Sequence, residues 1–329
     1  MNETVNNNGK KIFVTGASGL VGSHLIPTLL SKEYKITALY RKQIPQIVGA
    51  DKVQWVRGDI LDVICLQEVL DSIDEVYHCA AMVSFHPKDK KELMQVNVAG
   101  TANLVNAALA AKVSKFCFIS SVAAFGKIKT AGLVAEDIEF TKEYESAYGL
   151  SKYLAETEVW RAIGEGLSCV IVNPTIILGA SDWSSGSSQI FKSAYESFPW
   201  YTEGINGFVD VVDVVKAMIM LMESEVSGER FIVSAENKTY KEVFTAIANA
   251  FAKNPPHKKV TKMLAEIVWR LEAIKAMLTG KAPLVTKETT RSALEKNSYD
   301  NTKLKRFLPS FAYTPISETI RRVCSEFGV

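Results

Sequence analysis

The sequence predicts an α/β fold in which a doubly wound parallel sheet carries a second, smaller and mostly helical lobe. In the first half, short β-branched runs alternate with longer stretches of helical period, which is typical of βαβ units. About six strand and helix pairs can be counted, whereas a closed barrel needs eight. The length of 329 residues is sufficient for about two domains with substantial cores.

The elements follow from hydrophobic period and from the turn residues between them. The strands of the first half are predicted at 11–15, 35–40, 53–56, 75–79, 115–120 and 168–172. The principal helices there are predicted at 20–31, 90–111 and 146–163. After Pro174 the regular alternation of strands and helices ends in a Gly- and Ser-rich loop. The later elements are predicted as strands at 207–211 and 229–233 and helices at 213–222, 240–252 and 261–278.

This order predicts two interleaved domains after a disordered lead-in at 1–9. The sheet domain is expected to comprise 10–175 and 207–235, and the helical lobe 176–206 and 236–329.

Composition excludes several classes of protein. The 38 Lys and Arg nearly balance the 36 Asp and Glu, which argues against a nucleic-acid-binding protein. Five scattered cysteines without a CxxC pair, no secretory leader and no long uncharged apolar run predict a cytoplasmic protein without a metal site. The segment 253–306 nevertheless holds 13 Lys and Arg against 5 Asp and Glu, so an anionic substrate or surface stays open.

A glycine-rich turn follows the first predicted strand directly and opens the first predicted helix. Its glycines, Gly16, Gly19 and Gly22, permit a tight turn and close approach of the backbone to a pyrophosphate at a helix N-terminus. A dinucleotide is the ligand that this arrangement favours. The residues predicted to contact it here are Gly16, Ser18, Gly19, Leu20 and Val21.

Together with the pair Tyr148 and Lys152, the GxxGxxG spacing resembles the extended short-chain dehydrogenase/reductase superfamily, which includes the NAD-dependent epimerase/dehydratase family. The resemblance covers almost the whole chain and implies a Rossmann fold. Further landmarks in the order of the superfamily stand at 58–60, 78–81, 97–101, 120–121 and 208–214.

Tyr148 and Lys152 are four residues apart, so on a helix both side chains point into one cleft. We expect the ammonium to lower the pKa of the phenol toward neutrality, which would suit proton exchange with a substrate oxygen. By resemblance, Tyr148 is the acid and base, Lys152 also binds the nicotinamide ribose, and Ser121 polarises the substrate oxygen. Ser120 is the alternative serine, and Asn97 resembles a residue that supports the site.

The residues after the second strand predict NADP rather than NAD. An acid there would bind the ribose 2′-hydroxyl of NAD, but this sequence has Arg41 and Lys42, which suit a 2′-phosphate. Asp59 resembles the residue that binds the adenine amino group, with Ile60 packing on the ring. The other cofactor-binding residues that the resemblance implies are Ala80, Ala81, Pro174 and Thr175.

The segment 172–179 is closest to the branch of dihydroflavonol reductases, cinnamoyl-CoA reductases and 3β-hydroxysteroid dehydrogenases. The resemblance therefore implies an NADP-dependent oxidoreductase that transfers a hydride between NADPH and a carbonyl or alcohol on a hydrophobic small molecule. Candidate substrate-pocket residues, any of which could instead belong to the core, are Ser84, Phe85, Trp183, Phe191 and Tyr195.

Two other functions stay open. A nucleotide-sugar epimerase of the same superfamily is disfavoured because Asn206 stands where such enzymes have an arginine, and Val122 and Ala123 stand where sugar dehydratases have an acidic pair. A non-catalytic NADP sensor is disfavoured because Tyr148 and Lys152 are both present.

Two surfaces are also open to more than one interpretation. The apolar stripe of helix 261–278 is predicted to pack on the lobe, with a peripheral membrane surface as the alternative. A homodimer through helices 90–111 and 146–163 is compatible with the resemblance.

Overall fold

The computed structural model describes residues 9–126, 132–138, 146–183, 186–279 and 286–328. Among these residues, seven parallel strands form the central sheet in the order β11-β7-β5-β4-β1-β2-β3. The strands of the described chain are β1 (Lys11–Thr15), β2 (Lys35–Tyr40), β3 (Gln54–Arg57), β4 (Glu75–His78), β5 (Lys115–Ile119), β6 (Leu133–Val134), β7 (Cys169–Pro174), β8 (Ile176–Leu178), β9 (Trp200–Tyr201), β10 (Ile205–Asp210), β11 (Glu229–Val233), β12 (Glu236–Thr239), β13 (Lys258–Lys259) and β14 (Ser298–Tyr299). The predicted α/β fold with a doubly wound Rossmann-type sheet is confirmed.

Helices cover both faces of this sheet, and further helices belong to the smaller lobe. They are α1 (Leu20–Ser31), α2 (Val63–Leu70), α3 (Lys90–Leu93), α4 (Gly100–Ala110), α5 (Ala147–Gly164), α6 (Ser188–Tyr195), α7 (Val211–Met222), α8 (Tyr240–Ala250), α9 (Lys262–Thr279), α10 (Lys287–Ser292), α11 (Thr302–Phe307) and α12 (Ile316–Phe327). One apolar core lies between the sheet and the pair α1 and α7, and a second lies beneath α2, α4 and α5. β4, β5 and β7 are buried along their whole length, and the sequences of β5 and β7 are accordingly mostly apolar.

The chain leaves the central sheet after β7 and returns to it with β11, which pairs with β7 in parallel. The strand predicted at 207–211 does not return with it. It is β10, which pairs with β8 and β12 in a separate three-stranded sheet. Its Phe208 packs in the apolar cluster of α8 and α12, and its Val209 packs in the core under α1 and α7. The predicted domain boundaries stay a prediction.

The helix predicted at 90–111 is divided in three. Between α3 and α4, the residues Met94–Ala99 form a π-helix. Asn97 lies inside this π-helix. Its side-chain oxygen accepts a hydrogen bond from the N–H of Met82, and its side-chain nitrogen donates to the carbonyl of Met82 and to the hydroxyl of Ser151. These contacts draw Asn97 toward the sheet, which accounts for the wider turn at this point.

One face of α9 is exposed. Met263, Ile267 and Leu271, three apolar residues of the predicted stripe, are respectively 75%, 49% and 60% exposed, so the expectation that they pack on the lobe is wrong. Within the described ranges, no helix is both long and apolar enough to cross a bilayer.

Candidate active site

The turn between β1 and α1 is built to leave space beside a helix N-terminus. Gly16 has a φ of +73°, and a Cβ there would lie 2.5 Å from the backbone nitrogen of Ala80 on the neighbouring loop. A Cβ at Gly22 would overlap the carbonyl oxygen of Gly16. Gly19 caps α1 without a side chain, so the first-turn N–H groups face the turn without a side-chain cap. This glycine cradle fits a dinucleotide pyrophosphate, as the sequence predicts.

The predicted adenosine end of the site lies after β2 and β3. The guanidinium of Arg41 is 3.9 Å from the carboxylate of Asp59, and their side chains are 64% and 41% exposed. Ile60 is buried beside them, and its carbonyl accepts a hydrogen bond from the amide of Asn103. Lys42 is exposed. Two of the predicted cofactor residues thus meet at the surface, with ready access to solvent.

The remaining predicted cofactor residues lie along the carboxyl edge of the sheet. Ala80 and Ala81 follow β4, and the backbone N–H of Ala80 is 3.3 Å from the hydroxyl of Thr15. Pro174 ends β7, and the N–H of Thr175 donates to the carbonyl of Val233. This edge is where ligands of doubly wound sheets bind.

A buried hydrogen-bonded chain links the glycine turn to the π-helix. His78, at the end of β4, lies between the hydroxyls of Thr15 and Thr101, at 2.7 Å and 2.9 Å from its two ring nitrogens. Thr101 in turn donates to the carbonyl of Asn97. Burial lowers the pKa of His78 from its usual 6.5 to about 3, so the ring is neutral and one nitrogen can accept. Sequence reasoning treated His78 only as a landmark and missed this role.

The structure brings Ser121, Tyr148 and Lys152 together where β5 ends and α5 begins. Ser121 caps a short 3-10 helix by accepting the N–H of Ala123, and it also hydrogen-bonds Tyr148. Ser146 caps α5 by accepting the N–H of Gly149, which fixes Tyr148 in the first turn. The other candidate, Ser120, donates instead to the buried carboxylate of Glu156 at 2.6 Å.

Lys152 is buried one turn behind Tyr148. Its ammonium donates to the carbonyl of Ile119 at 2.6 Å and lies 4.7 Å from the centre of the Phe118 ring. Burial lowers the pKa of Lys152 to about 8, and the charge of Glu156 opposes this shift. The lysine is therefore mainly an ammonium at neutral pH.

The pKa of Tyr148 moves in the direction opposite to the prediction. Burial raises it above its usual value of 10, and the hydrogen bond with Ser121 opposes that rise. The expected downward shift by Lys152 is wrong for this structure because the removal of the phenol from water dominates. At neutral pH the hydroxyl of Tyr148 is therefore protonated.

Only part of the predicted substrate pocket lies beside Tyr148. The ring of Phe85 meets the Tyr148 ring edge-on with centroids 5.8 Å apart. Ser84, one residue before it, donates to the carboxylate of Asp89. Phe85 and Tyr148 together form an aromatic corner next to the Ser121 hydroxyl.

Three other predicted pocket residues belong to an aromatic cluster of the smaller lobe. The Trp183 ring lies 4.3 Å from that of Phe327 and 5.5 Å from that of Tyr195. Phe191 is fully buried, and its ring packs on Phe327 in the apolar contact between α6 and α12. Its assignment to the pocket is therefore wrong. Trp183 and Tyr195 are half-buried and stay predictions.

Sequence reasoning also missed a buried polar cluster behind the site, formed by Glu156, Asn173 and Arg230. One signal could have revealed part of it, because Glu156 continues the spacing of Tyr148 and Lys152 by another four residues.

A doubly wound sheet with this glycine turn, a serine and a Tyr/Lys pair at its carboxyl edge defines an enzyme of the extended short-chain dehydrogenase/reductase type. Comparison with known proteins agrees. The NAD dependent epimerase/dehydratase family model matches residues 12–234, more than half of the chain, so the protein belongs to this family. It is an NAD(P)-dependent enzyme of the oxidoreductase or epimerase type.

Three similar proteins show how far the likeness extends. A Synechocystis sp. protein provisionally named dihydroflavonol 4-reductase is 29% identical over 302 residues, which are 88% of this chain and 87% of that protein. Sterol demethylase protein B of Methylococcus capsulatus is 32% identical over 236 residues, 70% of this chain and 71% of that protein. The crystal structure of gox2253 is 28% identical, with a TM-score of 0.83 and 98% of each chain covered.

Proposed function

We propose that the protein is an NADP-dependent oxidoreductase that interconverts a carbonyl and an alcohol on a hydrophobic small molecule. The observation that carries the proposal is the hydrogen-bonded pair of Ser121 and Tyr148, with the buried Lys152 one turn behind. These three groups lie at the same sheet edge as the glycine cradle, where a dinucleotide fits.

In the reductive direction the chain supplies the proton. The raised pKa keeps Tyr148 protonated until negative charge develops on the substrate oxygen, to which the phenol then donates its proton. Ser121 donates a hydrogen bond to the same oxygen, and the ammonium of Lys152 stabilises the resulting phenolate. When bound, the nicotinamide supplies or accepts the hydride.

The selection of NADP is assigned to Arg41. Its guanidinium is 64% exposed after β2, where NAD-binding members have an acid, and a 2′-phosphate offers it bidentate hydrogen bonding. The partner it has here, Asp59, lies at 3.9 Å and binds it weakly, because both side chains are exposed. We propose that Arg41 turns to the 2′-phosphate and Asp59 to the adenine amino group, while Lys42 adds a second positive charge.

A hydrophobic substrate is supported by the aromatic corner of Phe85 and Tyr148. The names of the two relatives point the same way, since they refer to a dihydroflavonol and a sterol, both of which have polycyclic skeletons. A nucleotide-sugar substrate receives less support. Asn206, in the position of a diphosphate-binding arginine, donates to the hydroxyl of Tyr240 at the start of α8 and accepts from the N–H of Gly207 in its own strand.

The test uses NADPH carrying deuterium at the transferable position, with a panel of hydrophobic ketones and aldehydes and with UDP-sugars. We expect one deuterium on the carbinol carbon for each NADPH oxidised with at least one hydrophobic carbonyl. With NAD⁺ or NADP⁺ supplied instead, epimerisation of a UDP-sugar without net reduction of the cofactor would replace this proposal with an epimerase. Binding of NADPH without turnover on the whole panel would favour a sensor.

A further inference from the structure

The carboxylate of Glu156 is fully buried on α5, four residues after Lys152, and it has partners on three sides. One oxygen accepts from the Ser120 hydroxyl at 2.6 Å and from the Asn173 amide at 2.9 Å. The other accepts from the Trp160 indole and from the Arg230 guanidinium, each at 3.3 Å. Such a charge is costly to bury, so its position calls for an explanation beyond packing.

Through these bonds Glu156 holds the segment that carries the serine of the site. Ser120 precedes Ser121 directly, and the amide of Asn173 bridges Glu156 to the carbonyl of Ser121 at 3.2 Å. Both residues at the end of β5 are thus tied to one carboxylate. The orientation of the Ser121 hydroxyl toward Tyr148 depends on the position of the backbone at Ser120 and Ser121.

The same carboxylate acts on Lys152. The groups that face the lysine ammonium are His78 and Cys79 from the end of β4, the Phe118 ring and Ile119 carbonyl of β5, and Glu156 of α5. Tyr148 lies one helical turn before the lysine. Burial keeps His78 and the Cys79 thiol neutral near pH 7, with pKa values of about 3 and about 12. Among these facing groups, Glu156 is the carboxylate, and its charge raises the pKa of Lys152.

We propose that Glu156 is a positioning residue of the active site, whose buried carboxylate fixes the Ser121 segment and keeps the side chain of Lys152 in its ammonium form. This inference rests on the proposed function for its catalytic consequence. Its electrostatic part concerns only the chain itself and can be tested without turnover.

The variant Glu156→Gln removes the charge and keeps the size and one acceptor oxygen. In protein labelled with ¹³C at the lysine ε-carbons, the Lys152 signal is identified by its loss in Lys152→Met. We expect its titration midpoint, near pH 8 in the wild type, to fall by about one pH unit in Glu156→Gln, because the favourable charge is gone. An unchanged midpoint would overturn the inference.

A matched control is Glu75→Gln, since Glu75 is also buried and ion-paired, with Lys10, but lies at the opposite end of β4. It is expected to leave the Lys152 midpoint unchanged, and an equal shift in this control would also contradict the proposal. If Glu156→Gln does not fold because Arg230 is left unpaired, the double variant Glu156→Gln/Arg230→Met removes both charges. It is expected to show a fall in midpoint in the same direction but of smaller size, because the positive charge of Arg230 is removed as well.

The kinetic consequence separates positioning from a purely structural role. At saturating substrate, the alkaline limb of the kcat profile should move to lower pH by a similar amount in Glu156→Gln. A loss of stability with an unshifted profile would indicate a structural role only. If the wild type reduces no compound of the panel, the proposed function is wrong. The NMR titration would still test the effect of Glu156 on the pKa of Lys152.

Discussion

The two ends of the proposed cofactor site differ in how they are held. At the inner end, Lys152 and Glu156 are buried, and each has several hydrogen-bonding or charged partners at the edge of the sheet. At the outer end, Arg41 and Asp59 are exposed and meet at 3.9 Å. The inner end is held in place because Lys152 and Glu156 would lose buried hydrogen bonds if they moved, whereas the outer end can exchange partners at little cost.

This difference indicates a division of labour. Chemistry needs groups whose positions and charges are fixed before the substrate arrives, which only the buried end provides. Cofactor choice needs a charge that is free to turn to a phosphate, which the exposed end provides. The four predictions that follow probe the two ends, beginning with the largest expected effect.

Replacing Tyr148 with Phe should lower kcat by about 10²- to 10⁴-fold, because the proton donor is lost while the ring remains. Affinity for NADPH, measured by fluorescence titration, should stay within about twofold of the wild type. The control is Tyr153→Phe on the same helix, which should keep its turnover. A Tyr148→Phe variant with near-normal kcat would remove Tyr148 from the proposed role.

Replacing Arg230 with Met should destabilise the protein by about 3 to 5 kcal/mol in urea unfolding, because Glu156 would stay buried without its ion-pair partner. The contrasting change is Lys32→Met, which breaks an ion pair with Glu223 whose side chains are 42% and 29% exposed. The loss of unfolding free energy in Lys32→Met should be under about 1 kcal/mol. Similar losses in both variants would contradict the contrast between buried and exposed pairs.

His78 should make the inner end sensitive to acid. Its pKa is 6.5 when unfolded and about 3 when folded, so the stability it contributes is present above pH 6.5 and is lost as pH falls toward 3. Between pH 7 and pH 5 this amounts to about 2 kcal/mol of unfolding free energy. The variant His78→Gln has no titrating ring, and its stability should fall less over the same interval; equal slopes would refute this.

Replacing Arg41 with Ala should lower the ratio of NADPH to NADH affinity by about tenfold, since one exposed charge-assisted contact is lost. The effect should shrink at 1 M salt, where exposed charges are screened. No change in the ratio at low salt would defeat the assignment of NADP. Turnover at saturating NADPH should be unaffected.

The sequence predicted those features that depend on residues close together in the chain. The glycine cradle needs only one turn, and the spacing of its glycines predicts it. The Tyr148 and Lys152 pair needs only one helix, and resemblance to the superfamily identified it. Glu156 and Arg230 are 74 residues apart and meet only because β11 returns beside β7, which no local pattern specifies.

The errors have the same origin. The π-helix depends on contacts of Asn97 with Met82, 15 residues away, and these contacts are not visible in the helical period of 90–111. Phe191 was assigned to the pocket because an aromatic side chain suits either a ligand or a core. Its packing on Phe327, which is distant in the sequence, assigns the side chain to the core.

The most direct test of the division between the two ends is a double-mutant cycle on kcat/KM for NADPH with Tyr148→Phe and Arg41→Ala. β5, next to Tyr148, and β2, before Arg41, are three strand positions apart, or about 14 Å. At this separation the two losses should add to within about 0.5 kcal/mol, with Tyr148→Phe acting on kcat and Arg41→Ala on the affinity for NADPH. A coupling free energy above about 1 kcal/mol would show that the two ends act as one unit and would contradict this account.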